Sequence, residues 1–179
     1  MNRRQLLAGL AAATGTVATV NTAARASKPQ SHPLGLTGFD HMSVNAIDFD
    51  RMLNWYREVL DLELDVSWKV QALDGKRLAY LSLNGIRVVE IVAADENGTG
   101  LRPPTSFAQH FGTVGFGHLC FATDDVDRTM AAFAARGVPA FVKAETYPLD
   151  GTTYERRVAF VQDPEGNVLE FGEPLRKAS

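Results

Sequence analysis

The sequence has little cysteine and no excess of positive charge. Its 179 residues include a single cysteine, which excludes an internal disulfide framework and a zinc site built from several cysteines. Eighteen Lys and Arg against 21 Asp and Glu leave no basic excess of the kind that nucleic-acid-binding proteins carry. Fifteen glycines and eight prolines follow no short period, and 45% of residues are hydrophobic, so a collagen-like or disordered chain is excluded. The length fits one ordinary domain or two small ones.

Asp and Glu are absent from residues 1–26. Arg3 and Arg4 precede a long uncharged run that ends at Ala24-Arg25-Ala26, a small-x-small cleavage site. This segment resembles a twin-arginine signal, so we expect transient contact with the twin-arginine export machinery and a periplasmic or secreted protein after cleavage following Ala26. A retained membrane anchor is the alternative. Removing the 26 residues and their three arginines leaves 153 residues with a net charge of −6, so the mature protein would be acidic.

The rest of the chain repeats itself at an offset of 77 residues. Gly38-Phe39-Asp40-His41 is matched by Gly115-Phe116-Gly117-His118, and the same offset aligns Asp48, Asp50 and Arg51 with Asp125, Asp127 and Arg128. Such a period indicates two copies of one supersecondary unit. The predicted organisation comprises a flexible mature terminus at 27–35, module one at 36–94, a linker at 95–114, module two at 115–174 and a tail at 175–179.

Each module is predicted to fold as β-α-β-β-β, which makes an α+β protein. Period-two alternation indicates a first strand, after which Asp48 and Asp125 stand where helix N-caps belong. Turn sequences such as Asp74-Gly75 and Asp163-Pro164-Glu165-Gly166 separate the later strands. The predicted strands lie at 39–46, 62–70, 77–83 and 86–93 in module one, and at 116–123, 139–145, 155–162 and 167–172 in module two.

Four residues at equivalent places in the two modules are candidate metal ligands. His41 and His118 lie on the first strands, while Glu90 and Glu170 interrupt the apolar last strands. A carboxylate among strand hydrophobics is costly to bury unless it is paired or bound to a cation. Taken singly, such a His is more often a hydrogen-bonded core residue and such a Glu an edge residue. Their recurrence in both modules favours one site of mixed N and O ligands for Zn, Ni, Co, Mn or Fe(II).

With these residues in place, the chain resembles the vicinal oxygen chelate superfamily, which includes glyoxalase I, extradiol dioxygenases and bleomycin-resistance proteins. Gly115-Phe116-Gly117-His118 resembles the metal-binding first strand of glyoxalase I, and residues 158–166 with Leu169-Glu170 resemble its closing hairpin. The resemblance spans residues 36–174. It implies βαβββ modules paired into a cup-shaped mixed sheet, closed within one chain or between the chains of a homodimer. The ligands that it implies are His41, Glu90, His118 and Glu170.

The resemblance also implies lyase or isomerase chemistry, in which a glutamate removes a carbon-bound proton and a metal stabilises the enediolate. Glu170 is the first candidate for the base and Glu90 the second. The match to glyoxalase I ends where that enzyme contacts glutathione, because Asn45, Ala94 and Val114 stand in place of its usual Arg, Asn and Arg. We therefore expect a small oxygenated substrate other than a glutathione adduct.

Four further residues are candidates for touching the substrate. Ser43 and Asn45 share the strand face of His41, and Cys120 shares that of His118. His110 lies in the linker, where functional residues are common. Each could instead be a surface or packing residue, and Cys120 a small buried one.

Two other functions remain open. An extradiol-type ring-cleaving dioxygenase uses two His and one carboxylate on Fe(II), so a non-ligand role for Glu90 would favour it. A protein that sequesters a small molecule would need no metal, and finding none in the purified protein would favour that function.

Overall fold

Both modules fold as β-α-β-β-β in the computed structural model, which describes residues 33–95 and 102–178. The predicted α+β fold is thereby confirmed. The chain divides into two units, Met1–Gly38 and Phe39–Ser179, and every helix and strand below belongs to the second. The predicted signal at 1–26 lies outside the described residues. Within the described part of the chain, no helix has the length and apolar character needed to span a membrane.

Module one forms a four-stranded sheet in the order β1-β4-β3-β2, with β1 parallel to β4 and the other pairs antiparallel. Tight turns connect its later strands, and Asp74, Gly75, Asn84 and Gly85 take the positive φ angles that these turns require. The elements are β1 (Met42–Ala46), α1 (Phe49–Glu58), β2 (Glu63–Val70), β3 (Lys76–Leu83) and β4 (Ile86–Ala93).

Module two repeats this arrangement in the order β5-β8-β7-β6, again with its first and last strands parallel. A fifth strand, β9, pairs with β7, and a short helix, α2, precedes β5. The elements are α2 (Phe107–Phe111), β5 (His118–Ala122), α3 (Val126–Ala135), β6 (Ala140–Pro148), β7 (Tyr154–Gln162), β8 (Val168–Gly172) and β9 (Arg176–Lys177).

The structure departs from the predicted elements in a few places. The first strands begin at Met42 and His118 rather than at 39 and 116, because pairing with the last strand of each module starts at these residues. His41 was predicted to lie on the first strand and instead stands directly before it. Phe39 and Phe116 are largely in solvent, with 73% and 91% of their surface exposed. Neither α2 in the linker nor β9 in the tail was predicted. The predicted N-caps are present, since the Asp48 and Asp125 side chains accept hydrogen bonds from backbone N–H groups three residues later at 3.1 and 2.9 Å.

One face of each sheet is buried against the helix of its own module. Met52 and Tyr56 of α1 pack on Val89 and Ile91 of β4, and Phe133 of α3 packs in the same way on β7 and β8. Trp55, Leu60, Leu119 and Phe121 flank both clusters, so the two cores are joined. We call the opposite face of each sheet its site face.

The closing turn of module two docks onto the start of α1. The Glu165 carboxylate accepts hydrogen bonds from the backbone N–H groups of Ile47 and Asp48 at 3.0 and 2.8 Å. The buried Tyr56 hydroxyl donates to Asp163 at 3.0 Å. A negative group at a helix N-terminus is stabilised by the helix dipole, so Glu165 holds the modules together within one chain.

Candidate metal centre

Strand alternation places Ser43 and Asn45 on the site face of module one, and His41, directly before β1, turns its ring toward Glu90. Val44 and Ala46 point into the core, whereas Ser43 and Asn45 are exposed. Ser43 lies opposite Glu90 in the parallel β1–β4 pair, and Cys120 lies opposite Glu170 in the equivalent β5–β8 pair. The same register therefore brings one His and one Glu together on each sheet.

Half-site one consists of His41 and Glu90. The Nε2 atom of His41 lies 3.5 Å from a carboxylate oxygen of Glu90, and its Nδ1 atom lies 2.8 Å from Asp40. Arg87 lies 3.4 Å from the same Asp40 oxygen. The hydrogen bond with His41 is the main cause that lowers the pKa of Asp40, so this carboxylate stays negative behind the imidazole. One side of the His41 ring is held, and the other faces Glu90.

Aromatic rings line half-site one. The Tyr80 ring lies 5.1 Å from the His41 ring and 4.8 Å from that of Trp68, and Arg87 stacks over Tyr80 at 4.0 Å. Burial and the neighbouring Glu90 raise the pKa of Tyr80, which keeps the phenol protonated at neutral pH. The Trp68 and Tyr80 rings and the Arg87 guanidinium therefore form one wall beside this pair.

Half-site two consists of His118 and Glu170. The Nε2 atom of His118 lies 2.7 Å from a carboxylate oxygen of Glu170, and its Nδ1 atom lies 3.0 Å from Nε2 of His110. The hydrogen bond from His118 is the main cause that lowers the pKa of Glu170. Burial, reinforced by His118, lowers the pKa of His110 below its ordinary 6.5, so His110 is neutral at pH 7.

Arg156 on β7 brings positive charge to half-site two. Its Nη1 atom lies 3.4 Å from the second carboxylate oxygen of Glu170, and Nη2 donates to Sγ of Cys120 at 3.5 Å. The guanidinium lies over Gly172, where a Cβ would come within 2.5 Å of Nη2. The glycine therefore makes the space that Arg156 occupies. Sequence reasoning missed Arg156, although a glycine that ends an apolar strand was a usable signal.

The predicted site residues come together as two pairs. No three His, Cys, Asp or Glu side chains converge on one metal position anywhere in residues 33–95 and 102–178. Ser43 and Asn45 are exposed on the site face of module one. Cys120 lies beside Glu170 as a residue exposed to solvent, but its thiol is partly surrounded by protein, and this partial burial together with Glu170 raises the pKa of the thiol. His110 is buried against His118, not open to a ligand.

Large apolar side chains are exposed at the beginning of both first strands. Phe39 precedes β1, and Phe116 stands at the equivalent place before β5. Val114 and Phe111 of the same region are 96% and 60% exposed. Exposed apolar groups clustered near a polar site are typical of a surface that another molecule covers.

Comparisons with known proteins agree with this architecture. A family model described as the Glyoxalase/Bleomycin resistance protein/Dioxygenase superfamily matches residues 38–171. The uncharacterized protein YaeR of Escherichia coli is 29% identical over 140 residues, which cover 78% of this chain and 98% of YaeR. Lactoylglutathione lyase from Agrobacterium tumefaciens is 26% identical with a TM-score of 0.52, over 82% of this chain and 96% of that chain. FosX, a fosfomycin resistance protein from Listeria monocytogenes crystallised with Mn(II) and sulfate, is 16% identical with a TM-score of 0.51, over 78% and 93% of the two chains.

Proposed function

Because the chain belongs to the Glyoxalase/Bleomycin resistance protein/Dioxygenase superfamily, we propose that it is a divalent-metal-dependent enzyme with lyase or isomerase chemistry. The pairing of one imidazole with one carboxylate at equivalent positions of both modules carries this proposal. In each pair, Nε2 faces the carboxylate while Nδ1 is engaged by a second partner, which is the usual environment of a metal-binding histidine. Two nitrogen and two oxygen donors fit Zn, Ni, Co, Mn or Fe(II). The proposed ligands are His41, Glu90, His118 and Glu170.

A second copy of the chain completes each site. Half-site one of one protomer faces half-site two of its partner, so that four ligands meet. The exposed Phe39 and Phe116, which flank the two half-sites, supply apolar contacts for such a pairing. A two-fold axis makes both contacts equivalent, and the homodimer holds two metal sites.

The chemistry that we propose is transfer of a proton from carbon next to a carbonyl. A divalent metal supplies Lewis-acid stabilisation of the substrate's adjacent oxygens. The Glu170 carboxylate accepts the carbon-bound proton and returns it to the neighbouring carbon. Arg156, within 3.4 Å of Glu170, offsets the negative charge that the substrate gains when this proton leaves. Glu170 is the first candidate for the base because Arg156 beside it can stabilise the charge that develops on the substrate, although the same guanidinium weakens Glu170 as a proton acceptor.

The substrate that we propose is a small oxygenated molecule other than a glutathione adduct. Asn45 and Val114 stand on exposed positions where glyoxalase I has arginines, and neither can pair with a carboxylate as arginine does. The Agrobacterium relative is named lactoylglutathione lyase, so the two proteins are expected to share proton chemistry and to differ in the thiol-bearing part of the substrate.

Metal analysis of the purified protein tests the proposal first. The metal-free protein is titrated with Zn, Ni, Co, Mn and Fe(II), and the loaded protein is assayed with α-ketoaldehyde adducts of several thiols and with catechols. We expect one metal per chain and loss of binding in Glu90→Gln, with Glu63→Gln on exposed β2 as the matched control. Unchanged affinity in Glu90→Gln together with catechol cleavage would support a dioxygenase instead. A protein that binds none of these metals would overturn both enzyme proposals and favour a protein that sequesters a small molecule.

Export is a separate proposal, supported by the twin-arginine pattern of residues 1–26. Expression of the full chain with fractionation of the cells tests it. A periplasmic protein whose N-terminus is Ser27 is expected, and replacing Arg3 and Arg4 with lysine should leave the precursor in the cytoplasm. A membrane-bound protein that keeps its first residues would identify the segment as an anchor.

A further inference from the structure

His110 is a buried polar residue that the proposed chemistry does not use. It lies on α2 with 6% of its surface exposed, between the rings of Phe111 and Phe160 at 5.0 and 6.3 Å. The helix is fixed at its start by Ser106, whose side chain accepts a hydrogen bond from Gln109 N–H. A histidine in such a place has lost most contact with water, so its hydrogen bonds are made within the protein.

The two repeats differ directly behind their histidines. In half-site one, Asp40 holds Nδ1 of His41 at 2.8 Å. The equivalent residue of module two is Gly117, which has no side chain with which to hold His118. Nε2 of His110 instead lies 3.0 Å from Nδ1 of His118. A Cβ built on Gly117 would lie 3.6 and 3.7 Å from Cε1 and Nε2 of His110, so this imidazole occupies the space beside that position.

We infer that His110 is a positioning residue for half-site two, where it replaces the carboxylate that Asp40 provides in half-site one. This role rests on the proposed metal function. An imidazole that binds a metal through Nε2 carries its proton on Nδ1, and that proton needs an acceptor. In half-site one the acceptor is a carboxylate, and in half-site two it is the lone pair of His110 Nε2. Both ligand rings are thereby held with Nε2 toward their glutamates.

The replacement makes the two halves of the centre chemically different. A carboxylate that accepts the Nδ1 proton of His41 makes Nε2 of this ring a stronger electron-pair donor to a metal. The neutral ring of His110 has a weaker effect of the same kind on His118. Because α2 belongs to the linker, the orientation of His118 also depends on a segment with no counterpart in module one. The repeat therefore supplies two matching ligand pairs, and the linker supplies the support that one of them lacks.

Metal affinity of three variants tests this role, measured by competition with a chromophoric chelator. In His110→Ala, the dissociation constant for Zn(II) is expected to rise about 10- to 100-fold, the usual cost of losing a residue that holds a metal ligand. In the double variant His110→Ala with Gly117→Asp, the new carboxylate stands at the Asp40-equivalent position and restores affinity. Ala108→Ser, at an exposed position of the same helix, is the control and is expected to bind Zn(II) as the wild type does.

The outcomes separate this inference from the proposed function. A wild-type protein without metal affinity would overturn the proposed function itself. Wild-type affinity in a folded His110→Ala protein would overturn the role of His110 alone. So would failure of Gly117→Asp to restore affinity in a double variant whose melting temperature matches that of His110→Ala, because the loss would then come from packing around α2. Restoration by a carboxylate at 117 supports the inference, since that change returns none of the lost packing.

Discussion

Mixing two metal-free variants tests whether the centre forms between chains. One variant carries His41→Ala with Glu90→Gln and lacks half-site one, and the other carries His118→Ala with Glu170→Gln and lacks half-site two. Each variant alone offers no complete set of four ligands. In a mixed dimer, the intact half-site one of one chain meets the intact half-site two of its partner. The other site of that dimer combines the two damaged half-sites.

The expected recovery follows from counting sites. Random assortment makes half of the dimers mixed, and each mixed dimer has one intact site out of two, so the mixture should bind about a quarter of the wild-type metal. The chains are refolded together or co-expressed, and metal per chain is measured after gel filtration. The control is a mixture of two single variants, His41→Ala and Glu90→Gln. Both changes damage half-site one, so no intact site can form in any dimer.

A site that closes within one chain gives a different result. Every chain in the mixture would then carry a defective site, and no metal would be recovered. That outcome, with both variants folded and dimeric, would refute the pairing of half-sites between protomers. The same measurement made on enzymatic turnover should give the same fraction.

Three further predictions concern contacts that single side chains make. Tyr56→Phe removes the buried hydroxyl that donates to Asp163 and should lower the free energy of unfolding by about 1–3 kcal/mol. Burial raises the pKa of Tyr56 in the folded protein well above its ordinary 10.0, so the stabilisation by this hydroxyl is complete below pH 10.0. At higher pH the tyrosine ionises in the unfolded chain first and the stabilisation is lost, so the free energies of unfolding of the wild type and Tyr56→Phe should converge. Glu165→Gln leaves one acceptor oxygen for two N–H groups and should cost about 1 kcal/mol in the same assay. Arg156→Gln removes positive charge beside Glu170 and should tighten metal binding several-fold while lowering kcat about 100-fold.

Each of these has a control on the same kind of residue. Tyr147→Phe removes an exposed hydroxyl from Glu145 and should change stability by less than about 0.5 kcal/mol. Glu63→Gln serves the same purpose for Glu165→Gln. Arg157→Gln is the control for Arg156→Gln, since Arg157 pairs with Asp127. If metal affinity and kcat fell together in Arg156→Gln, the guanidinium would be holding Glu170 in place rather than offsetting charge.

The architecture of the two modules could be predicted from the sequence because the patterns that indicate it, strand alternation and helix N-caps, are local. The offset of 77 residues aligns strand starts and N-caps, and both N-cap hydrogen bonds are found in the structure. Strand alternation similarly predicted the exposed face of Ser43 and Asn45, whereas His41 stands just before the strand on which it was predicted. The face of a strand residue depends only on its neighbours along the chain, so one sequence is enough to assign it.

What the sequence did not reveal depends on contacts between distant segments. Helix α2 lies in a linker rich in glycine and proline, where no periodic pattern predicted it. The contact of His110 with His118 follows from how that helix packs, although the change from Asp40 to Gly117 in an otherwise matching motif marked the place where a partner was missing. Strand alternation assigns a residue to one face of its own sheet. It carries no information on whether the metal ligands of the two sheets meet within one chain or between two chains.

The docking of Glu165 onto the start of α1 has a consequence for how the chain is made. Its bond to Ile47 closes a loop of 118 residues, whose entropic cost exceeds that of a ten-residue loop by about 2 kcal/mol. Such a contact cannot form on the ribosome until residue 165 has been synthesised and has left the exit tunnel. The N-terminus of α1 therefore gains the Glu165 carboxylate only after the closing turn of module two has emerged, so the two modules complete their folding together.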